Sequence, residues 1–108
     1  IFRGYDHCFA VDGYEKTIRT EVGQLRCQAT GRRVTLLSSQ PAAVLYTGNW
    51  LSGGCPKTKS DKYYQDYAGV AIECQGFSDA VNHPDFPSIY LKADELYCNK
   101  IVFKLEQF

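Results

Sequence analysis

One carboxylate in the sequence stands where it could act as a general base. Residues 68–75 alternate in character, so that Val70, Ile72 and Cys74 form an apolar face of a strand and Glu73 lies on the other face among small residues. The small neighbours leave room for a ligand, and partial shielding from water would suit the Glu73 carboxylate to proton abstraction. The alternative is that Glu73 lies on the solvent side of an ordinary strand.

Four other residues carry groups that could contribute to a site. Asp6 and His7 are adjacent, and because neighbours on a strand point to opposite faces we do not expect them to form an acid–base pair. We interpret His7 as a core or edge histidine and Asp6 as a carboxylate at a turn or strand end. Gln40 ends a strand, where its amide suits either sugar hydroxyls or the bracing of a loop. His83 lies among turn formers, where we expect a loop-bracing role.

The elements that position these residues are predicted to be strands. A helical pattern occurs at residues 78–82, and Pro84 limits it to a single turn. Gly31 and Arg32 are expected to form the turn of a hairpin. Many short strands and little helix predict an all-β fold, an antiparallel sandwich or barrel. Alternation of apolar and polar residues predicts strands at residues 7–11, 24–30, 33–38, 43–46, 68–74 and 88–91, and a last one that contains Ile101, Phe103 and Leu105.

Charge and composition exclude two classes of partner. The 108 residues include 12 Lys and Arg against 12 Asp and Glu, which gives no basic patch for a nucleic acid or an anionic membrane surface. No apolar run approaches the roughly 18 residues of a membrane span. The hydrophobic fraction of 44% is sufficient for a globular core.

The cysteine pattern bears on metal binding and on cellular location. The five cysteines, at positions 8, 27, 55, 74 and 98, have no CxxC spacing and no paired histidines, so we expect no metal site. We interpret them as small buried hydrophobes rather than a disulfide framework. This favours a cytoplasmic location, with secretion as the alternative.

The start of the chain suggests that the sequence continues upstream. It opens on Ile1, Phe2 and Arg3 without an initiator Met, and it contains no Met at all. We therefore expect this chain to be a fragment or a processed piece of a longer protein.

A series of motifs gives the sequence a family resemblance. In order along the chain, the series resembles the C-terminal third of the aldose 1-epimerase (galactose mutarotase) family, and the likeness extends over nearly all of the residues. The closing Glu95-Leu96-Tyr97, followed by an amphipathic strand, also matches. The motifs are Gly4-Tyr5-Asp6-His7, Ser39-Gln40-Pro41, Tyr46-Thr47-Gly48-Asn49, Glu73-Cys74-Gln75 and Asn82-His83-Pro84-Asp85-Phe86-Pro87.

The resemblance implies a fold, a reaction and a role for three residues. The fold would be the C-terminal portion of a galactose mutarotase-like supersandwich, with residues 1–108 forming part of a single domain. Glu73 would take the proton from the anomeric hydroxyl of an aldohexose, while Asp6 and Gln40 would bind its other hydroxyls. No cofactor or metal would be required, because proton transfer alone lowers the barrier.

The resemblance also implies that part of the site lies elsewhere. The acid of the family is a histidine, and it lies upstream of the matched region, as do a second histidine and an Asn-Arg pair that help to bind the sugar. The expected partners are therefore a monosaccharide and the upstream part of the same protein, either covalently joined or as a second chain.

Two other functions remain as alternatives. The first is a non-catalytic sugar-binding β-sandwich module, in which Glu73 would accept a hydrogen bond from a sugar hydroxyl. The second is an epimerase relative that acts on a phosphorylated hexose, which would need an arginine cluster at the site. Arg32 and Arg33 are predicted to lie at the hairpin turn, where we expect them to be solvated.

Overall fold

Six strands form two three-stranded antiparallel sheets in the computed structural model, which describes residues 3–16, 19–53 and 57–108. The described fold is all-β and forms a portion of an antiparallel β-sandwich. Its elements are β1 (Asp6–Ala10), β2 (Thr20–Cys27), β3 (Arg32–Ser38), β4 (Ala42–Tyr46), β5 (Ala71–Gln75), a single 3₁₀ turn (Ala80–Asn82) and β6 (Ile101–Gln107). Their order in the first sheet is β1-β4-β5, and in the second it is β2-β3-β6.

The core lies where the two sheets meet. β3 of the second sheet leads into β4 of the first through residues 39–41, so these two central strands are joined by a short corner. Ala42 and Ala43 are buried at the start of β4, and Cys74 is buried on the neighbouring strand β5.

The second sheet has one polar and one apolar face. On the polar face the Arg33 guanidinium bonds the Glu106 carboxylate across the β3–β6 pair, with Nη2 and Oε1 3.0 Å apart. The hydrogen bond from Arg33 lowers the pKa of Glu106, and the guanidinium charge adds to this effect. A bulge between Glu21 and Gly23 interrupts the regular β2–β3 register near the start of β2.

The apolar face of the second sheet is largely uncovered. The strand register brings Leu25, Val34 and Leu105 into one row and Leu36 and Phe103 into the next. Leu105 is 78% exposed and Phe103 is 61% exposed, whereas Leu36 on the central strand is buried. In a sandwich, a face of this kind packs against a second layer.

The size of the exposed surface agrees with an uncovered face. The chain has a mass of 12.2 kDa and exposes 8464 Å². A compact monomer of this mass exposes about 6,100 Å². The radius of gyration is 16.5 Å, compared with about 13 Å for a compact chain of this length. Both differences are in the direction expected for a sheet without its covering layer.

The strand prediction for residues 88–91 is wrong. Pro87 immediately precedes this segment, and residues 88–91 pair with none of the described strands. The Tyr90 amide donates to the Ser88 hydroxyl at 3.2 Å, a local bond that replaces strand pairing. The hairpin turn also differs, because β2 ends at Cys27 and residues 28–31 form the turn.

The interpretation of the cysteines as buried is correct for Cys74 and wrong for three others. Cys8, Cys27 and Cys98 are exposed, and these three thiols and that of Cys74 are free. Cys8 lies on an edge strand, Cys27 at the end of another and Cys98 in a loop, so none of them has a layer above it. Cys55 lies outside the described residues.

In the part of the chain that the structure describes, we find no helix with the length and apolar character of a membrane span.

The uncovered face predicts self-association of this chain. By itself the chain should sediment as an oligomer, and the pair of substitutions Phe103→Lys and Leu105→Lys should shift it toward the monomer, because two charges oppose burial of the face. Gln24→Lys places one charge on the polar face and should leave the association unchanged. Sedimentation velocity measures both effects, and a monomeric unmodified chain at high concentration would contradict the prediction.

Candidate functional site

The first sheet brings two of the predicted site residues to one face. In its register Asp6 pairs with Tyr46, while Glu73 pairs with Val44, and Val44 in turn pairs with Cys8. Residues paired across strands point to the same side of a sheet, so the two carboxylates share a face. Strand spacing puts their Cα atoms about 12 Å apart. A small polar molecule could therefore contact both carboxylates above the floor that Val44 and Cys8 provide.

The same register separates His7 from Asp6. His7 pairs with Leu45 on β4, so it points to the face opposite the carboxylates. Its Nδ1 accepts a hydrogen bond from the Asp6 amide at 3.0 Å, and its ring meets that of Tyr5 edge-on with centroids 5.9 Å apart. The expectation that Asp6 and His7 form no acid–base pair is consistent with this arrangement.

Glu73 is more open than its sequence neighbours suggest. β5 is an edge strand of the described sheet, so Glu73 has a neighbouring strand on one side, where Val44 lies opposite. The Glu73 side chain is exposed. The expectation that the described residues shield it from water is therefore wrong, because shielding would require a strand or loop beyond β5.

Gln40 lies at the other end of β4 from Asp6. It occupies the corner between the sheets and is 9% exposed. Its backbone amide donates to the Ser38 hydroxyl at 3.1 Å. The Gln40 Nε2 donates to the Tyr97 hydroxyl at 3.3 Å. These bonds fit the loop-bracing alternative for Gln40, and a contact with sugar hydroxyls stays a prediction.

A cavity of about 590 Å³ opens at this corner. Gln40 and Pro41 form one wall, and the loop that contains Tyr90 and Tyr97 forms another. Among the described residues, the cavity lining includes Gln40 but neither Asp6 nor Glu73. The structure therefore joins the two carboxylates on the sheet face and puts Gln40 at the end of that face, in a separate recess.

The turn that follows β4 fixes the segment that carries Asp6. The Tyr5 amide donates to the Thr47 hydroxyl at 2.9 Å, and the Thr47 amide donates to the Tyr5 carbonyl at 3.1 Å. Asn49 is 3% exposed, and its Nδ2 donates to the same carbonyl at 2.9 Å. These bonds set the backbone immediately before Asp6. Sequence reasoning assigned no role to Thr47 and Asn49, although a Thr-Gly-Asn turn directly after a strand was the available signal.

The same turn also fixes the approach to β5, which carries Glu73. Gly48 has a φ of 70°, and a Cβ added to it would lie 2.7 Å from the Gly69 carbonyl oxygen. The Tyr67 amide donates to the Gly48 carbonyl at 2.8 Å. A glycine is required here because the backbone is left-handed and a second backbone lies against it. One turn therefore holds the segments that carry both carboxylates.

A cluster of charged and aromatic residues closes the end of the sheet beside this turn. The Arg3 guanidinium lies 4.6 Å from the centre of the Trp50 ring, and the Tyr67 hydroxyl donates to the Arg3 carbonyl at 2.7 Å. The amide and the hydroxyl of Ser52 both donate to Asp66 at 2.8 Å. These two hydrogen bonds lower the pKa of Asp66, and the charge of Arg3 lowers it further. The cluster thus keeps the Asp66 carboxylate ionised and the end of the sheet ordered.

His83 braces the loop after β5. Its Nε2 lies 3.4 Å from Asp79 Oδ2, and Asn82 Nδ2 donates to the other oxygen of that carboxylate. The Phe86 ring packs against His83 with centroids 4.9 Å apart, and against Phe77 with centroids 4.7 Å apart. This is the loop-bracing role expected from the sequence, and it lies on a different segment from the carboxylate pair.

The described residues contain no group of three or more His, Cys, Asp or Glu side chains arranged to hold a metal ion. The chemistry that the site offers is that of hydrogen bonding and proton transfer. Two carboxylates can accept bonds from hydroxyl groups, and an exposed carboxylate can also accept a proton.

Comparisons with known proteins match this chain to one family. The sequence profile described as Aldose 1-epimerase matches residues 1–104. Galactose mutarotase from Rattus norvegicus is 36% identical over 101 residues, which cover 94% of this chain and 29% of that protein. Galactose mutarotase from Homo sapiens is 34% identical over 101 residues, again 94% of this chain and 29% of that protein. Aldose 1-epimerase from Haemophilus influenzae is 33% identical over 84 residues, 78% of this chain and 23% of that protein.

The matches cover most of this chain but less than a third of each relative. The chain spans 29% of the length of the mammalian relatives given above. The matched residues include every segment of the candidate site, from Asp6 to Tyr97.

The close approach at Gly48 predicts a specific loss of stability. Gly48→Ala should lower the free energy of unfolding by about 3 kcal/mol, because it combines a left-handed alanine with displacement of the Gly69 carbonyl. Gly13 is the matched control, since its φ is 68° and a Cβ there would meet nothing within 4 Å. Gly13→Ala should cost about 1 kcal/mol, the left-handed penalty alone. Urea titration measures both, and equal losses would contradict the close approach.

Proposed function

The chain belongs to the aldose 1-epimerase family, and we propose from this premise that it forms part of a mutarotase that interconverts the α and β anomers of aldohexoses such as glucose or galactose. The observation that carries the proposal is the shared sheet face of Asp6 and Glu73, which one turn holds in place. Residues 1–108 would form the C-terminal part of a single catalytic domain.

Glu73 is the proposed general base. Its carboxylate takes the proton of the hydroxyl on C1 while the bond between C1 and the ring oxygen breaks, and an acid gives a proton to that oxygen. The product is the open-chain aldehyde, in which C1 turns before the reverse steps close the ring. The exposed position of Glu73 on β5 leaves the carboxylate accessible to a sugar that lies on the sheet face. A positioned base of this kind contributes about 10²–10⁴ in rate.

Asp6 and Gln40 are the proposed binding residues. The Asp6 carboxylate, on the Glu73 face, accepts hydrogen bonds from sugar hydroxyls, while the Gln40 carboxamide can both donate and accept.

The catalytic acid would come from outside this chain. The family resemblance assigns that role to an upstream histidine, and in this chain His7 points away from the carboxylate face while His83 braces a loop. We propose that the upstream part of the same protein, covalently joined or as a second chain, supplies the acid. The same part would cover the apolar face of the second sheet, where Phe103 and Leu105 are exposed.

The positions of Arg32 and Arg33 give no support to a phosphorylated substrate. A phosphate site would need arginine side chains near the carboxylates. Arg33 instead lies in the second sheet, where it is paired with Glu106. Arg32 is exposed at the start of β3, next to the hairpin turn.

Removal of the proposed base should abolish turnover. In the polypeptide of full family length that contains this chain, Glu73→Gln should reduce the catalysed rate of anomer exchange to background and leave most of the sugar affinity, because an amide has the shape of a carboxylate but accepts no proton. Polarimetry of freshly dissolved α-glucose or α-galactose, corrected for the spontaneous rate, measures this loss.

Glu21→Gln provides the control, because it makes the same change on β2 of the other sheet. It should leave the rate unaltered. Near-normal turnover in Glu73→Gln would remove Glu73 as the base. If the unmodified protein binds sugar but exchanges anomers no faster than the spontaneous rate, the non-catalytic sugar-binding module would be favoured instead.

The proposed binding residues should show a different kinetic signature. Asp6→Asn and Gln40→Ala should act mainly by raising KM, because they remove hydrogen bonds to hydroxyls rather than the proton acceptor. His7→Ala should affect stability alone, since His7 lies on the opposite face of the sheet. Loss of turnover in a His7→Ala protein that melts normally would contradict this assignment.

A further inference from the structure

The segment before β6 is fastened to both sheets. The Ser39 amide donates to the Lys100 carbonyl at 3.1 Å, and the Lys100 amide donates to the Ser39 hydroxyl at 3.1 Å. Asn99 Nδ2 donates to the Cys74 carbonyl on β5 at 3.5 Å. Residues 97–100 therefore have a fixed position relative to the corner that holds Gln40, although they form no strand there.

This fixed segment presents one hydroxyl to Gln40. The Gln40 Nε2 donates to the Tyr97 hydroxyl at 3.3 Å, across 57 residues of sequence. The two residues differ in burial, because Gln40 is 9% exposed and Tyr97 is 64% exposed. The Tyr97 ring thus lies mostly in solvent, and the contact that its hydroxyl makes within the described structure is with a buried amide rather than with the core.

The bond to Tyr97 holds one end of the Gln40 carboxamide against the fixed segment. A phenol hydroxyl can both donate and accept, so it engages whichever end of the carboxamide faces it, and the other end is left for a hydroxyl group of a ligand. Without the bond the side chain could adopt several rotamers. Holding the carboxamide in one position lowers the ordering cost of binding.

We propose that Tyr97 is a positioning residue for Gln40, whose carboxamide it holds in place so that the end not bonded to Tyr97 can bond a sugar hydroxyl. The proposal rests on the mutarotase function proposed above and deepens it by adding a residue that acts on substrate affinity through another side chain. We assign Tyr97 no part in proton transfer, because its hydroxyl bonds Gln40 and the cavity that it lines includes neither Asp6 nor Glu73.

The test is the Tyr97→Phe variant of the full-length protein that contains this chain. This change removes the hydroxyl and keeps the ring, while the anchors at Asn99 and Lys100 are untouched, so the melting temperature should be unchanged. KM for glucose should rise about 3- to 10-fold, as expected for loss of one neutral hydrogen bond, with kcat retained. A second variant, Gln40→Ala, should raise KM by at least as much.

The double variant separates positioning from independent contact. In the Gln40→Ala background, Tyr97→Phe should raise KM no further, because the group that it positions is absent. Tyr90→Phe is the matched control, since Tyr90 lines the same cavity and its hydroxyl makes no bond to Gln40 in the described structure. That control should leave KM at the unmodified value.

The outcomes distinguish the two proposals. An unchanged KM in Tyr97→Phe, additive effects in the double variant, or an equal rise in Tyr90→Phe would overturn the positioning role while the proposed mutarotase function stands. Full turnover in Glu73→Gln would overturn that function instead, whatever the tyrosine variants do. A Gln40→Ala protein with normal KM would overturn both the assignment of Gln40 and the role of Tyr97.

Discussion

The close contact between the turn at residues 46–49 and two distant backbones is the constraint on which the first sheet depends. β1 and β5 are not neighbours, so their relative position is set through β4 and through this turn. The turn bonds the Tyr5 backbone on one side and lies against Gly69 on the other. Two carboxylates on separate strands keep a constant spacing because the same few atoms hold both strands. A side chain at Gly48 would meet the Gly69 carbonyl oxygen at 2.7 Å and the Leu51 side chain at 2.9 Å, so it would disturb both the approach to β5 and the loop after β4.

Strand alternation is informative where a strand has two unlike faces. It predicts β6 correctly, because Phe103 and Leu105 alternate with charged residues and side chains on a strand point to alternate sides. It fails at residues 88–91, where the apolar residues line a cavity and the Tyr90 amide finds a local partner. Periodicity alone does not establish strand pairing, because Ile89, Tyr90 and Leu91 are each half or more exposed and lie in a loop.

The site was partly accessible to sequence reasoning. The separate faces of Asp6 and His7 follow from their adjacency alone. The pairing of the Asp6 and Glu73 strands on either side of β4 does not, because chain order gives no indication that β1 and β5 flank a common neighbour. The roles proposed for these residues rest on the family resemblance. The bond from Gln40 to Tyr97 spans too many residues for any local pattern to show it.

The clasp between Ser39 and Lys100 has a mechanical consequence. The spacing of the two carboxylates is set within the first sheet. Gln40 lies in the corner between the two sheets, and it is bonded to Tyr97 in the segment that leads into β6 of the second sheet. A change in the angle between the sheets would therefore displace Gln40 and leave the carboxylate spacing intact. Such a motion would reshape the corner cavity while the sheet face that carries Asp6 and Glu73 kept its geometry.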